Sequence, residues 1–457
     1  MKDLVTKVVS FIPEVRKPEK KLDFKVKLKW TLMILVSFFI LGVIPLYGLE
    51  SNALSQFREL SIILGASFGS ILSLGIGPIV TGSIVLQLLV GSGILKIDTT
   101  THDGRTFFQS LQKLTTWFFI IFEAIVYVML NGLRAQPGME YILITQLIIG
   151  GILIFYMDEV TNKWGFGSGV SLFIASGVAA EIFIRAFSPL TSSGTFAFGV
   201  GSDGAPIGAF FVFILSLING STSEAFTAAF AIIATIIVFV ISVYGQAMKV
   251  EIPLSFGRVR GYGVRWPLNF LYTSNIPVIL IAALLANIQL AVTFLQTREI
   301  VSSATATSIA SWVSGSPIVL NAISGSLVAS DVFKAMVYMV VLALGSVVFS
   351  IFWVQSAGMN AQSQAKQIRA AGLHVAGFRT DQRILERILE RYIFPLTVMG
   401  GLSIGLIAAG ADLLGALSRG TGILLAVMII YKLYEDIAKQ HMMDMHPSLR
   451  KMMGGDS

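Results

Sequence analysis

Ten long apolar stretches, separated by polar or glycine-rich connections, dominate the hydrophobic pattern of the 457-residue chain. Each stretch is close to the roughly 20 apolar residues that a helix needs to cross a bilayer. The predicted spans, numbered as segments one to ten, are residues 29–49, 73–91, 106–131, 139–157, 168–187, 225–248, 267–291, 332–356, 387–410 and 415–437. The pattern therefore predicts an all-α polytopic membrane protein.

The start of segment two is broken where a spanning helix is normally continuous. Gly75, Gly77 and Pro78 lie there. The preceding residues 51–70 are amphipathic and are too short and too polar to cross a membrane. We expect them to form a short re-entrant or surface helix. Because non-helical backbone at membrane depth is tolerated only when it is buried in protein or lines a water-filled cavity, the broken stretch should border a cavity.

The second half of the chain echoes the first at an interval of five segments. Gly77-Pro78 in segment two corresponds to Ile276-Pro277 in segment seven, and the Gly-Ser-Gly run at 167–169 corresponds to the Gly-Thr-Gly run at 420–422. A five-helix unit crosses the membrane an odd number of times, so its second copy enters from the opposite side. We expect two inverted halves, at residues 29–187 and 225–437. An extracytoplasmic link, residues 188–224, would join them.

Charge sets the expected orientation. The chain is 54% hydrophobic and 13% charged, with a formal net charge of +7 and a mean hydropathy of +0.78. Basic residues concentrate in the N-terminal segment 1–28 and in the loops 249–266 and 357–391, which the positive-inside rule places in the cytoplasm. The tail 438–457 follows on the same side. Four tryptophans are expected at cytoplasmic helix ends: Trp30, Trp164, Trp266 and Trp353.

Catalytic patterns are absent from the sequence. It contains no Gly-x4-Gly-Lys-Ser/Thr loop for nucleotide, no cysteine, and only four histidines, whose spacing does not suit a metal. We predict that the protein is not an enzyme and uses no cofactor or metal.

Polar residues inside the predicted spans are sparse. Glu123 lies in the middle of segment three, Thr81 in segment two and Asn287 in segment seven. An ionisable group at that depth is a functional candidate by default, although polar side chains also hold helices together. Branched aliphatic residues at i, i+4 spacing near the glycine breaks form either ordinary core or a water-excluding constriction. The pattern leaves both alternatives open.

Six stretches of the chain carry long motifs in a fixed order. They read GIGPIVTGSIVLQLLVGSG, WGFGSGVSLFIASG, KVEIPLSFGRVRG, NFLYTSNIPVILIAALLANIQ, GFR and RGTGILLAVMIIYKLYED. Together they resemble the SecY family, whose members are central subunits of the protein-conducting channel. The IPEV and KLKW stretches near the N-terminus resemble its archaeal branch. The resemblance covers nearly the whole chain.

The resemblance implies a SecY-like clamshell whose halves, segments one to five and six to ten, enclose an hourglass pore. It implies an aliphatic constriction, here named the pore ring: Ile76, Val80, Val170, Ile174, Ile279 and Leu425. It implies a plug within 51–70 that includes Arg58, Glu59, Leu60, Ile62, Ile63, Gly65 and Gly69. A lateral gate between segments two and three and segments seven and eight would carry Thr81, Glu123 and Asn287. Arg258, Arg260 and Arg379 would dock the ribosome.

The expected function is a passive channel in the cell membrane for secretory polypeptides and transmembrane segments, with both termini in the cytoplasm. The resemblance implies as partners the small subunits SecE and Secβ, the ribosome with its nascent chain, signal sequences and the lipid bilayer, and no small-molecule substrate. Two alternatives remain: a secondary transporter, which also uses inverted repeats and broken helices, and a scaffold without a pore.

Overall fold

The computed structural model describes residues 12–20, 22–52, 64–91, 94–95, 97, 101–191, 195–198, 205–256, 263–273, 276–297, 301–313, 315, 317–370, 373–374, 382–418 and 420–445. These residues form fourteen helices and five short strands. The helices are α1 (Phe24–Val43), α2 (Gly77–Gly91), α3 (His102–Met129), α4 (Glu140–Trp164), α5 (Gly169–Phe187), α6 (Ala209–Ile218), α7 (Thr222–Ala247), α8 (Ile276–Thr297), α9 (Ser303–Val313), α10 (Ile318–Ile323), α11 (Ala329–Ser356), α12 (Ala361–Ala370), α13 (Gln382–Leu414) and α14 (Gly420–Met445). The strands are β1 (Leu49–Asn52), β2 (Leu133–Ala135), β3 (Lys249–Phe256), β4 (Gly263–Asn269) and β5 (Leu373–His374).

Each predicted span overlaps one helix: α1, α2, α3, α4, α5, α7, α8, α11, α13 and α14. Segment one was predicted to end at 49, but α1 ends at Val43 and Leu49 belongs to β1. Among the described residues, eight helices are long and apolar enough to cross a membrane. The other two predicted spans are α2, which has only 15 residues, and α14, whose second half carries Lys432, Glu435 and Asp436. Helices α6, α9, α10 and α12 are shorter and lie in the connections between the predicted spans.

The predicted start of segment two was four residues too early. The described residues 71–76 form turns, and α2 begins at Gly77. Pro78 occupies the first turn of the helix, where its missing N–H group costs no hydrogen bond. The break in the apolar pattern therefore marks a helix start.

The predicted start of segment seven was wrong by nine residues, because its first residues form strand β4. Arg265, Pro267 and Asn269 are exposed, while Trp266 is half-buried and Leu268 is buried. This alternation is the period of a strand with one buried face. Trp266 therefore packs in a sheet against the apolar side of α12 and α13 and does not lie at a helix end as predicted.

The spanning helices form two sets of five that meet along two seams. Helices α1 to α5 pack among themselves, as do α7, α8, α11, α13 and α14. At one seam α2 packs against α8 and α11, and at the other α5 packs against α14. A large buried hydrophobic cluster lies between the two sets and draws residues from both. The molecule is therefore built as two halves around a shared centre.

Two small antiparallel sheets join connections that are distant in the chain, and the sequence did not predict them. Strand β1 pairs with β2, with Leu49 opposite Ala135. The other sheet has the order β4-β3-β5, in which Ser255 lies opposite His374.

The helix expected over 51–70 was wrong at both ends. Ser51 and Asn52 belong to β1, and the described residues 64–70 contain turns and no helix. The middle of that range, 53–63, lies outside the described residues.

Candidate pore and lateral gate

The predicted pore-ring residues all lie near the starts of four helices. Ile76 precedes α2 by one residue and Val80 lies in its first turn; Val170 and Ile174 lie in the first two turns of α5. Ile279 and Leu425 have equivalent places in α8 and α14. The glycines and prolines that start these helices therefore also set the positions of the aliphatic side chains.

The structure brings all six of these residues into the central hydrophobic cluster. Ile76, Ile174 and Leu425 are 0% exposed, Val80 and Ile279 are buried, and Val170 is half-buried against the same cluster. They come from both halves of the molecule. An aliphatic constriction of this kind can block water and ions without offering a binding site to any particular side chain.

A cavity of about 510 Å³ opens on one side of the pore ring. Val80, Val170 and Ile279 line it, whereas Ile76, Ile174 and Leu425 do not. The cavity therefore ends at the ring. Its polar lining includes Ser83, Gln87, Arg105, Gln109, Gln112, Asp158, Asn162, Lys432 and Asp436. The arrangement is a polar vestibule with an aliphatic floor, as the broken helix start led us to expect.

Leu64 and Gly65, at the end of the predicted plug, pack against the pore-ring residue Ile76. The Ile76 N–H donates to the Leu64 carbonyl at 2.7 Å, and Gly65 lies so close that an added Cβ would be 3.7 Å from Ile76 Cγ2. Gly65 has φ +50° and Gly69 has φ +96°, in the left-handed region that favours glycine. The other predicted plug residues, Arg58, Glu59, Leu60, Ile62 and Ile63, lie outside the described residues.

A chain of polar side chains crosses the seam between α2 and α8. The Asn287 amide donates to the Thr81 hydroxyl at 3.1 Å, and the Thr81 hydroxyl donates to the carboxylate of Glu123 on α3. Glu123 is buried, and an added Cβ at Gly77 would be 3.0 Å from its Oε2 atom. The three residues predicted for a lateral gate thus form one network that ties the halves together.

The three predicted docking arginines, Arg258, Arg260 and Arg379, lie outside the described residues. The strands that precede them in the chain are described, and β3 pairs with β5 at their ends, with Phe256 opposite Leu373. The two basic loops therefore start from neighbouring strands of one sheet.

Several residues of the site were missed by the sequence reasoning. Gln112 donates to the Ser83 hydroxyl at 2.8 Å and links α3 to α2 beside the cavity. Asp158 and Asp412 accept hydrogen bonds from the starts of α5 and α14. Segment four was expected to end at 157, which left Asp158 in a loop. A comparison of the two halves for acidic residues before the paired glycine motifs could have found both carboxylates.

The fold and the site together define a multi-pass helical membrane protein with the architecture of a channel: two halves, an aliphatic constriction and a polar seam. A family model described as SecY matches residues 70–434, and one described as the plug domain of Sec61p matches residues 37–69. The chain belongs to the SecY family.

Relatives and solved structures agree with this assignment. The chain is 42% identical to a protein translocase subunit SecY of Methanothermobacter thermautotrophicus and 38% identical to one of Methanocaldococcus jannaschii, each over 99% of this chain and at least 99% of the relative. A solved structure described as a protein-conducting channel matches with a TM-score of 0.82 at 38% identity and covers 98% of this chain and 99% of its own.

A second solved structure, described as Sec61 in the canine ribosome–channel complex from the endoplasmic reticulum, has a TM-score of 0.78 at 37% identity, over 98% of this chain and 99% of its own. The predicted family and its archaeal relatives are therefore confirmed, and the comparisons favour the channel over the small-solute transporter.

Proposed function

We propose that this chain is the pore-forming subunit of a protein-conducting channel in the cell membrane. The observation that carries the proposal is the pore ring, in which helices from both halves place aliphatic side chains in one buried cluster at the end of a cavity of about 510 Å³. A constriction of this chemistry can fit around a translocating chain of any sequence. When no chain is present, it limits ion leak.

The seam between α2 and α8 is proposed as the lateral gate. Its polar network would hold the halves together until a hydrophobic segment separates them. Leu or Ile in the centre of a segment favours transfer to lipid by about 0.3–0.6 kcal/mol each, whereas Lys or Arg costs about 2.5–3.5 kcal/mol. A gate that opens to lipid therefore sorts segments by hydrophobicity.

The plug is proposed to close the pore from outside. The contact of Leu64 and Gly65 with Ile76 supports this role, because it lies on a ring residue that does not line the cavity. The cavity side is then cytoplasmic, in agreement with the basic loops 249–266 and 357–391. Both termini would also be cytoplasmic.

The proposed partners are SecE and Secβ subunits and a ribosome docked through Arg258, Arg260 and Arg379. The relatives named as translocase subunits and the ribosome–channel complex of a similar protein support these partners. The chain itself would act as a passive conduit and not as an enzyme, so the translating ribosome would supply the driving energy.

Reconstitution tests the proposal. The purified complex in lipid vesicles, programmed with ribosomes that translate a precursor bearing a signal sequence, should protect the precursor from added protease. A precursor without its signal should stay accessible, and this is the matched control. Vesicles that accumulate a small solute but protect no precursor would favour the transporter instead.

The docking loops can be tested separately. Replacing Arg258, Arg260 and Arg379 by Glu should lower ribosome affinity because each change reverses a charge that would face RNA phosphate. The control is Arg134→Glu, since Arg134 lies in β2 near the plug end and pairs with Glu50 at 3.0 Å. Equal ribosome binding by the triple variant and the control would contradict the docking role.

A further inference from the structure

The helices α5 and α14 hold equivalent places in the two halves, and each is capped by a carboxylate from the spanning helix before it. Asp158 on α4 accepts from the Val170 N–H at 2.9 Å and from the Ser168 hydroxyl at 3.4 Å, and it also accepts from the Gly169 N–H. Asp412 on α13 accepts from the Gly420 N–H at 2.6 Å. The same device therefore occurs once in each half.

Such capping differs from the usual arrangement, in which the residue just before the helix supplies the oxygen. Ser168 holds that place before α5 and makes no side-chain cap bond. The oxygen comes instead from across the helical hairpin, on Asp158. A carboxylate at this place satisfies otherwise unpaired N–H groups and complements the positive end of the helix dipole.

Glycine at the first position of each helix allows the close approach. A Cβ added at Gly169 would lie 2.5 Å from Asp158 Cα, and one added at Gly420 would lie 2.0 Å from Ala411 Cβ. Each helix start is therefore pressed directly onto the end of the preceding helix. These two junctions lie at the Gly-Ser-Gly run at 167–169 and the Gly-Thr-Gly run at 420–422, which correspond to each other in the two halves.

These junctions lie close to the pore ring. Val170 and Ile174 follow Gly169 within two turns of α5, and Leu425 follows Gly420 within two turns of α14. Helices α5 and α14 also pack on each other, with an added Cβ at Gly422 only 3.3 Å from Val178. A shift of either helix start along its axis would carry ring side chains out of the plane of closure.

Asp412 also links α13 to another helix of the second half, α11. Its Oδ2 atom accepts from the Tyr338 hydroxyl on α11 at 2.6 Å, and it is buried. Since α11 packs against α2 at the lateral seam, Asp412 connects the start of a ring helix to a helix of the proposed gate.

We propose that Asp158 and Asp412 are a pair of positioning residues, one in each half, that fix the starts of α5 and α14 and so set the closed geometry of the pore ring. This inference rests on the proposed function. It assigns to two carboxylates that accept from backbone N–H groups at helix starts the task of keeping the resting channel tight to ions.

Resting ion conductance in planar bilayers tests the pair, with the complete complex and no nascent chain. Asp158→Ala and Asp412→Ala should each raise the conductance by about tenfold, the change in population expected for loss of one helix cap. Asp158→Asn and Asp412→Asn should leak less than the alanine variants, because Asn still accepts from a backbone N–H. Wild-type conductance in both alanine variants would overturn the proposal.

Glu224→Ala is the matched control. Glu224 accepts from the Ser216 and Ser221 hydroxyls at the start of α7, which carries no ring residue. Its removal should leave the conductance unchanged. A leak from Glu224→Ala equal to that of the paired variants would mean that loss of any carboxylate at a helix start opens the channel, and the proposal would be wrong.

A double substitution separates positioning from general loss of stability. In an Ile174→Ser background the ring is already imperfect, so Asp158→Ala should add much less leak than it adds to the wild type. Fully additive leak would overturn the inference.

If the alanine variants do not accumulate, the asparagine variants carry the test. Their conductance should rise about threefold, and wild-type conductance would then contradict the inference. Failure of the unaltered complex to protect a precursor would instead count against the proposed function.

Discussion

At the scale of single residues, the polar network of Thr81, Glu123 and Asn287 joins the two halves at the seam between α2 and α8. Lipid tails are as apolar as aliphatic side chains, so helices in a membrane gain little from burying one apolar face against another. A hydrogen bond across the seam, such as the one from Asn287 to Thr81, contributes on average about 0.6 kcal/mol. One polar side chain can therefore bias the gate towards the closed state.

Replacing Asn287 by Leu should lower the hydrophobicity at which a test segment enters the membrane. The change removes the hydrogen bond to Thr81 and lets the seam face lipid without exposing an amide. The threshold should fall by roughly one Leu per test segment, since one central Leu favours insertion by a comparable amount. Gln296→Leu, at an exposed position of the same helix, is the control. An unchanged threshold across a graded Leu series would count against a gating role.

The pore ring makes a second prediction at this scale. Replacing Ile76, Val80 and Ile174 by Ser should raise the resting single-channel conductance, because each change shortens an aliphatic side chain and adds a hydroxyl that holds water. A rise of about tenfold or more is expected if closure depends on dewetting. Ile149→Ser is the control, because Ile149 on α4 is 51% exposed on the outer surface. Wild-type conductance of the triple variant would refute the ring as the seal.

At the scale of elements, the link from residue 64 to the start of α2 places Leu64 and Gly65, at the end of the proposed plug, against Ile76. Gly75 has φ +55°, and a Cβ there would lie 2.2 Å from the Leu64 carbonyl oxygen. Gly75→Ala should therefore displace Leu64 and loosen the plug, at a strain cost of about 1–2 kcal/mol before the clash is counted. Resting conductance should rise.

A matched control for Gly75 exists on the same chain. Gly138 has φ +82°, and an added Cβ there would meet nothing within 4 Å. Gly138→Ala therefore imposes the same kind of backbone strain without the clash, and its conductance should stay at the wild-type level. Equal conductance in the two variants would mean that the approach of Leu64 to Gly75 is not needed for closure.

The N-terminal strap, residues 13–16, lies across the end of α4. The Val15 N–H donates to Glu159 at 3.2 Å, the Trp164 indole donates to the Arg16 carbonyl at 2.9 Å, and Glu14 pairs with Lys163 at 2.7 Å and Lys113 at 3.1 Å. Because Lys113 lies on α3, the strap ties the N-terminal segment to a helix of the proposed gate.

Acid should release the strap. The hydrogen bond from Lys163 holds the pKa of the Glu14 carboxyl below its usual value. The contribution of Glu14 to holding the strap is therefore fully present above the usual pKa of the carboxyl group. It is lost as the pH falls through the lower pKa of Glu14 in the folded protein. The Glu14 side chain is 58% exposed, so the effect is small. Hydrogen exchange of residues 12–20 should increase at acidic pH, and Glu14→Gln should weaken that dependence. Glu19→Gln is the control, and an identical response of both variants would contradict the assignment.

At the scale of the whole molecule, the sheet of β3, β4 and β5 unites two loops from different parts of the second half. The Tyr272 hydroxyl reinforces this union by donating to the Met359 carbonyl at 2.7 Å. Burial raises the pKa of Tyr272 to about 12, so the phenol remains a donor throughout the physiological range. The described parts of the two basic loops are thus joined to each other.

Tyr272→Phe should weaken ribosome binding by about five- to tenfold without raising resting conductance. Loss of the donor leaves a partly buried carbonyl unpaired, which costs about 1–1.5 kcal/mol and allows the loops to separate. Tyr141→Phe, where the side chain is 83% exposed, is the control. Co-sedimentation with ribosomes measures the effect, and equal binding by both variants would contradict a shared docking surface.

The sequence by itself determined that the chain spans a membrane, and it located the ten spans and the glycine and proline motifs that mark four helix starts at the centre of the molecule. These features are local: an apolar run of sufficient length needs only lipid, and Gly77-Pro78 or Ile276-Pro277 starts a helix wherever it lies. The six long sequence motifs also indicated the SecY family. The predicted start of segment seven at 267 was wrong because β4 is apolar enough to extend a predicted span. Its alternation of exposed and buried residues indicates a strand only when β3 lies beside it.

Only the tertiary structure decided which aliphatic residues form one cluster, because Ile76 and Leu425 are separated by most of the chain and periodicity cannot distinguish a constriction from ordinary core. The bond from Asn287 to Thr81 and the pairing of β3 with β5 likewise join distant segments. The two carboxylates Asp158 and Asp412 lie among ordinary helix-end residues in the sequence. Folding gives them a shared position, because each meets the backbone N–H groups of a helix that starts against it.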